Sequence, residues 1–143
     1  MRTNSSLPRH DAVLLSLGGA AGSLARYGVE TLLPTPPPPG VPMGTLTVNL
    51  LGALLAGVVF RAIERGGPRL AWMQSLLGIG FCGGFSTLSS VSVEYVHLAA
   101  ADQRAIAVAY VLGSLVAGGV LAWTGGALLD RVAPRRPSPG GRS

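Results

Sequence analysis

The segment between residues 78 and 92 contains the residue types best suited to ion chemistry. Four glycines come first and five hydroxyl residues follow: Gly78, Gly80, Gly83 and Gly84, then Ser86, Thr87, Ser89, Ser90 and Ser92. Glycine destabilises a helix, and irregular backbone inside a membrane is tolerated only where it is buried in protein or lines water. Carbonyl groups freed there can coordinate a hard cation, and the hydroxyls can line a polar path. The alternative is a tightly packed, kinked helix.

Arg26 is a charged residue within an otherwise apolar segment, where an arginine costs roughly 2.5–3.5 kcal/mol on insertion scales. As a fixed positive charge it can attract an anion towards a vestibule. It can equally pair with Glu30, four residues on, although arginine before glutamate is the weaker order for a helical pair. Both interpretations stay open from the spacing.

Asn49 is an amide within a second apolar segment, GTLTVNLLGALLAG. Its side chain can donate two hydrogen bonds and accept two, so in lipid it must face protein or water. It can act as an N–H donor along an anion path. It can instead hold two helices together, with Gly52 and Ala56 allowing close approach.

Two other polar features lie further along the chain. Tyr110 and Ser114 are four residues apart and share a helical face that Gly118 continues, which suits a polar track or a packing face. Glu94 follows the hydroxyl cluster, and we expect it near a membrane interface, satisfied by Arg26 or by a helix end, rather than as a functional carboxylate.

The composition indicates a protein dissolved in lipid. Of the 143 residues, 48% are hydrophobic and 12% are charged, whereas a soluble domain carries about 25% charged residues. The net charge of +5 does not indicate nucleic-acid binding, because the arginines flank apolar runs without an aromatic-basic stripe. No nucleophile–base pair or metal-ligand cluster suggests an enzyme. The single cysteine, Cys82, excludes an intrachain disulfide.

The uncharged runs predict an all-α membrane protein with four transmembrane helices. Runs at residues 43–60, 70–93 and 105–129 can each cross a bilayer core of ~30 Å. A first, weaker span contains Arg26 and Glu30. We predict a four-span membrane domain at residues 12–130 with the third helix broken near its middle, and spans at about residues 12–33, 43–63, 70–97 and 104–129. Residues 1–11 and a disordered tail at 131–143 flank this domain.

The arginines are distributed unequally between the two predicted sides of the membrane. Nine lie on the side of the termini and the second loop: Arg2, Arg9, Arg61, Arg65, Arg69, Arg131, Arg135, Arg136 and Arg142. Arg104 alone lies on the other side. The positive-inside rule therefore predicts that both termini are cytoplasmic.

Three motifs together resemble the Fluc (CrcB) family of bacterial fluoride channels. They are GGAAGSLARY, PMGTLTVNLLGALLAG and GFCGGFSTLSSVSVE, and the resemblance extends from about residue 17 to 129. It implies four-helix subunits that pair antiparallel in the bacterial plasma membrane. Such a dimer exports fluoride passively and lowers cytoplasmic fluoride, which enters cells as uncharged hydrogen fluoride.

The resemblance also implies roles for individual residues. The helix break would fall at residues 83–87, where the backbone carbonyls of Gly83 and Ser86 would hold a structural sodium ion that is shared by both subunits and not transported. The implied anion path contains the family's arginine, asparagine and hydroxyl positions, which fall on Arg26, Asn49, Thr87, Ser89, Tyr110 and Ser114.

The chain departs from the family pattern at two pore positions. The family has phenylalanines there, and this chain has Leu88 and Val91, whose aliphatic groups lack the electropositive edge of a ring. A homodimer of opposed subunits also requires insertion both ways, which the arginine bias disfavours. We therefore predict one half of a heterodimer, whose homologous partner inserts in the opposite orientation and retains the phenylalanines.

Two alternatives remain at this stage. One is a non-conducting structural subunit of a fluoride channel, which the loss of both phenylalanines favours. The other is a small four-helix multidrug exporter, which needs a carboxylate deep in the first span. Glu30 fits that role poorly, because it lies near the end of the span beside an arginine.

Overall fold

The computed structural model describes residues 9–37 and 40–132, and every regular element in these ranges is helical. Residues 1–8 of the predicted N-terminal segment and 133–143 of the predicted tail lie outside the described residues. The elements in chain order are α1 (Arg9–Leu32), α2 (Met43–Gly66), a 3-10 turn (Gly67–Leu70), α3 (Ala71–Met73), a π-helix (Gln74–Phe81), α4 (Cys82–Phe85), α5 (Leu88–Ala100) and α6 (Arg104–Val132). We call residues 71–100 the broken helix.

Three helical stretches of the described chain are long and apolar enough to cross a membrane: Arg9–Leu32, Met43–Ala100 and Arg104–Val132. Their outer surface is apolar, and Trp123 on α6, for example, is 73% exposed. A surface of this kind would aggregate in water, whereas lipid tails solvate it without penalty. The chain is therefore an all-helical membrane protein over its described residues.

The longest stretch, Met43–Ala100, reverses direction partway along. Its 58 residues would extend about 87 Å as one straight helix, roughly three times the thickness of a bilayer core. Instead, α2 ends at Gly66, and Gly67 adopts a φ of 57° that residues with a β-carbon rarely adopt. The chain then turns back, so that α2 packs against the π-helix and α4.

The glycine-rich part of the broken helix packs directly against α1. Gly18 on α1 faces Gly80, and a β-carbon on Gly84 would collide with the carbonyl of Gly19. Four-residue spacing of small residues on both helices lets the two backbones approach closely. The backbone through these glycines stays helical, as a π-helix over residues 74–81 followed by α4, so this part of the segment matches the alternative of a tightly packed helix.

Helix α6 closes the bundle against α2 and α5. A β-carbon on Gly57 would collide with the carbonyl of Ala122, so α2 and α6 are in backbone contact there. At one end of this contact, Asp130 binds Arg61 through Nε–Oδ1 (2.9 Å) and NH2–Oδ2 (2.8 Å), and it also pairs with Arg65. The charged groups at this end therefore fasten α2 to α6.

A small apolar core joins α5 to α6. Its buried members are Val91, Leu98, Ala107 and Tyr110. The two helices are connected by a tight turn in which Asp102 has a φ of 64°. This core fixes the second half of the broken helix against α6.

Candidate functional site

The broken helix is interrupted at Ser86 and Thr87, which we call the break. Both residues have extended backbone, with φ and ψ of −83° and 156° at Ser86 and −149° and 123° at Thr87. The last helical bond before the break runs from Ser86 N to Cys82 O (3.0 Å), and Ser86 Oγ donates to the same carbonyl (2.8 Å). The resemblance implied a break over residues 83–87, whereas the helix continues through Phe85.

Asn49 binds the break from α2 with both ends of its amide. Its Oδ1 accepts from Thr87 N (2.7 Å), and its Nδ2 donates to Thr87 O (3.0 Å). The structure therefore contains the interhelical bond that was one of the two interpretations of Asn49. An asparagine amide carries two N–H groups, so one remains for another partner.

The hydrogen bonds of Asn49 remove the helical donor of the Gly83 carbonyl. In a continuous helix Thr87 N would donate to Gly83 O, but here it donates to Asn49. Gly83 is exposed, and a β-carbon on it would meet nothing within 4 Å. A carbonyl at a helix end without its helical donor suits a hard cation, so the backbone at Gly83 and Ser86 fits the predicted ligand type.

The hydroxyl of Thr87 begins the second half of the broken helix. Thr87 Oγ1 accepts from Ser90 N (3.2 Å) as the N-cap of α5, which satisfies one of the free N–H groups at that helix start. It also lies 3.0 Å from Ser89 Oγ and 3.2 Å from Ser90 Oγ. Two of the predicted path residues, Thr87 and Ser89, are therefore in direct contact.

Glu94 joins three helices through two hydroxyls. Thr45 Oγ1 of α2 donates to Glu94 Oε1 (2.5 Å), and the Tyr110 hydroxyl of α6 donates to Oε2 (2.6 Å). The expectation that Arg26 or a helix end would satisfy Glu94 was wrong. Sequence analysis missed Thr45, although its position four residues before Asn49 puts both on one face of α2.

A polar cavity of about 440 Å³ lies beside these residues, between α1, α2 and α5. Seven polar residues line it: Glu30, Thr35, Thr45, Ser89, Ser90, Glu94 and His97. Within the described part of the chain, Glu30 Oε1 is buried and has no hydrogen-bond partner. The cavity therefore collects carboxylate and hydroxyl groups at one end of the helix bundle.

Arg26 does not form the predicted pair with Glu30. Among residues 9–37 and 40–132, the ion pairs within 4.0 Å are made by His10, Arg61 and Arg65, and none involves Arg26. The Arg26 side chain is half-buried on α1. Its positive charge is therefore not neutralised by a carboxylate of the described chain.

The two predicted path residues on α6 have different surroundings. Tyr110 is buried and bonds to Glu94 as described above. Ser114 Oγ donates to the Tyr110 carbonyl one turn earlier on the same helix (2.6 Å). The structure thus brings Tyr110 into the polar network, while Ser114 bonds only to its own helix backbone.

Leu88 and Val91, at the positions of the family's phenylalanines, occupy different environments on α5. Leu88 is 70% exposed, whereas Val91 is 5% exposed and belongs to the α5–α6 core. Both line an apolar groove of about 450 Å³ between these helices. The nearby Phe85 is buried before the break and stacks on Phe81, with ring centroids 5.5 Å apart.

Comparison with known proteins identifies similar chains. The family described as "CrcB-like protein, Camphor Resistance (CrcB)" matches residues 13–126. The chain is 41% identical over 109 residues to the fluoride-specific ion channel FluC of Paracoccus denitrificans, covering 76% of this chain and 85% of that protein. Identity to FluC of Coxiella burnetii is 40% over 116 residues (80% and 94%), and to FluC of Gloeobacter violaceus 40% over 121 residues (80% and 92%).

Proposed function

The chain belongs to the CrcB family, and on that premise we propose that it is a subunit of a fluoride-specific ion channel. The observation that carries this function is a polar network inside an otherwise apolar helical bundle, made by Asn49 with Thr87 and by Thr45, Glu94 and Tyr110. Buried polar groups at membrane depth are expensive and mark ion pathways. A channel moves an ion and transforms no substrate, so the protein is a transporter rather than an enzyme.

The helices are arranged to cross the membrane four times. The reversal at Gly67 divides the stretch Met43–Ala100 into α2 and the broken helix, and each is long enough to cross a bilayer core. Four crossings put both termini on one side. The arginine bias assigns that side to the cytoplasm of a bacterial plasma membrane.

The anion path consists of donors that replace the water around a small, strongly hydrated anion. Arg26 supplies a positive charge that no carboxylate of the described chain neutralises, and Asn49 retains one N–H group. Hydroxyls of Thr87, Ser89, Tyr110 and Ser114 line the path along the broken helix and α6. Tyr110 and Ser114 now donate to Glu94 and to the Tyr110 carbonyl, so each would have to turn its single O–H to bind the anion. Flow along such a path is passive, because it depends only on the fluoride gradient.

A structural sodium ion, which is not transported, is held by the carbonyls of Gly83 and Ser86. A hard cation is surrounded by more oxygen ligands than two, so a second subunit must supply the others. Exposure of Gly83 and the open space beside it support this contact with a second subunit. The bound ion would join the two subunits at the break.

The second subunit is a homologous chain of opposite orientation. The bias of nine arginines to one disfavours insertion of this chain in both directions. The aliphatic Leu88, which is 70% exposed, leaves this subunit without a ring at that pore position, and the partner supplies the phenylalanines. Loss of both rings also favours a second candidate function, a structural subunit that conducts nothing itself.

Fluoride release from liposomes tests this function. Vesicles loaded with potassium fluoride are prepared with this protein alone, with its candidate partner alone, and with both. We expect fluoride release with both proteins and much less with this protein alone, and no chloride release in matched vesicles. Release from none of the three preparations, with both proteins folded, would overturn the channel assignment. Equal fluoride release from vesicles with both proteins and from vesicles with the partner alone would identify this protein as non-conducting.

A further inference from the structure

We propose that Asn49 is a positioning residue that keeps the broken helix open at Ser86 and Thr87, so that the Gly83 carbonyl stays available to a cation. Only the part of this inference that concerns the bound cation rests on the proposed function. The geometry of the break is independent of that function, and it can be measured without any ion.

The two hydrogen bonds of Asn49 occupy both polar groups of one residue's backbone. Thr87 N donates to Oδ1 at 2.7 Å, and Thr87 O accepts from Nδ2 at 3.0 Å. The side-chain amide therefore acts as a substitute peptide group, with one donor and one acceptor facing the corresponding groups of Thr87. This arrangement satisfies the Thr87 N–H without a helical acceptor and gives the Thr87 carbonyl a donor from α2.

Without Asn49, the backbone at the break would be more stable in the membrane as a continuous helix. Unpaired N–H and C=O groups in lipid are costly, and closing a helix is the usual way to satisfy them. Without Asn49, Thr87 N can return to Gly83 O and make residues 82–90 one continuous helix. The Gly83 carbonyl would then be occupied by its helical donor.

The surroundings of Asn49 hold its amide at the required distance from the break. Val48, the preceding residue on α2, is fully buried, so α2 is closely packed beside Asn49. Gly52, one turn later, lets Ser86 approach, since a β-carbon on Gly52 would lie 3.2 Å from Ser86 Cβ. The residues next to Asn49 on α2 therefore keep this helix close to the break.

Nuclear magnetic resonance of the full chain in detergent micelles, without added sodium, tests the positioning role. The Cα chemical shifts of Ser86 and Thr87 distinguish extended from helical backbone. We expect extended values in the unaltered protein and a change towards helical values in Asn49→Leu and Asn49→Ala. These variants differ in size, so a steric effect cannot explain a shared result. Unchanged shifts in both variants would overturn the proposal.

Sodium-dependent thermal unfolding of the assembled channel tests the consequence for the cation. Sodium chloride is titrated against choline chloride at constant ionic strength. We expect the sodium concentration for half-maximal stabilisation to rise at least tenfold in Asn49→Leu and Asn49→Ala. The control Ser16→Ala removes only a local bond to Ala12 O on an exposed surface and should leave it unchanged.

Two outcomes of the titration count against the proposal. An equal sodium requirement in the unaltered protein and the variants, together with altered shifts, would overturn the link to the cation. Absence of any sodium effect in the unaltered protein would overturn it too. Neither result depends on fluoride release, so failure of the channel function would be recognised separately.

Discussion

The Tyr110 hydroxyl donates to the Glu94 carboxylate at 2.6 Å across the contact between α5 and α6. The second oxygen of the same carboxylate accepts from Thr45 on α2. One acidic side chain therefore connects the helices on both sides of α5. Because α5 is separated from the rest of the broken helix by the break, these hydroxyls restrain its position.

Removing the Tyr110 hydroxyl tests this connection. We expect Tyr110→Phe to destabilise the protein by about 1–3 kcal/mol, because the half-buried Glu94 carboxylate loses one of its donors. Thermal unfolding in detergent measures the change. Tyr95→Phe is the matched control, since Tyr95 lies on exposed α5 surface. In a double-mutant cycle with Glu94→Gln the two changes should be non-additive, and strict additivity would show that the contact contributes nothing.

The contact between α1 and the broken helix predicts different effects for two glycines on the same helix. A β-carbon on Gly18 would collide with the carbonyl of Leu76, whereas one on Gly28 meets nothing within 4 Å. We expect Gly18→Ala to destabilise the protein by about 1–3 kcal/mol through overpacking. Gly28→Ala should be neutral or stabilising by up to about 1 kcal/mol. Equal unfolding temperatures for the two variants would contradict this packing.

The two positions that carry phenylalanine in the family differ in the space available for a ring. Leu88 is exposed, so Leu88→Phe should change the unfolding free energy by no more than about 0.5 kcal/mol. Val91 is buried in the α5–α6 core, so Val91→Phe should cost about 1–3 kcal/mol. If the absence of a phenylalanine ring edge limits the fluoride conduction of this subunit, Leu88→Phe should also increase fluoride release in the liposome assay. An unchanged rate would locate the limitation elsewhere.

The ion network at the end of α2 and α6 predicts a salt-sensitive contribution to stability. Asp130→Asn weakens its bonds to Arg61 and Arg65 together, and we expect the unfolding temperature to fall by a few degrees at low salt and by less at high salt. Glu64→Gln is the control, because Glu64 binds the same arginine while its side chain is 64% exposed. A larger effect for Glu64→Gln would be inconsistent with this network.

The proposed fixed orientation can be tested by labelling a cysteine in the turn between α5 and α6. Ala101→Cys is placed in a Cys82→Ala background and treated in intact cells with a membrane-impermeant maleimide. We expect labelling of essentially all copies from outside, because Arg104 is the only arginine predicted on that side. Substantial protected and labelled fractions together would indicate dual topology and would remove the reason for a heterodimer.

Some features of the molecule follow from local sequence. The three long apolar helical stretches contain the uncharged runs, because about 20 uncharged residues in lipid must satisfy their own backbone hydrogen bonds. The motifs around Arg26, Asn49 and Ser86 were sufficient to identify the family. The predicted position of the break was only approximate. Glycine lowers the helix propensity of an isolated segment, but between packed helices it allows close contact, and the helix can then continue through it.

The sequence by itself therefore determined the membrane class, the helical segments and the family, because these depend on composition and on motifs of neighbouring residues. Only the tertiary structure decided the partners of the polar groups. Asn49 bonds to Thr87 38 residues away, Thr45 to Glu94 49 residues away, and Tyr110 to Glu94 16 residues away. Arg26, by contrast, does not pair with the carboxylate four residues on. Such choices depend on how helices pack against one another, and a side chain in lipid bonds to whatever polar group that packing brings within reach.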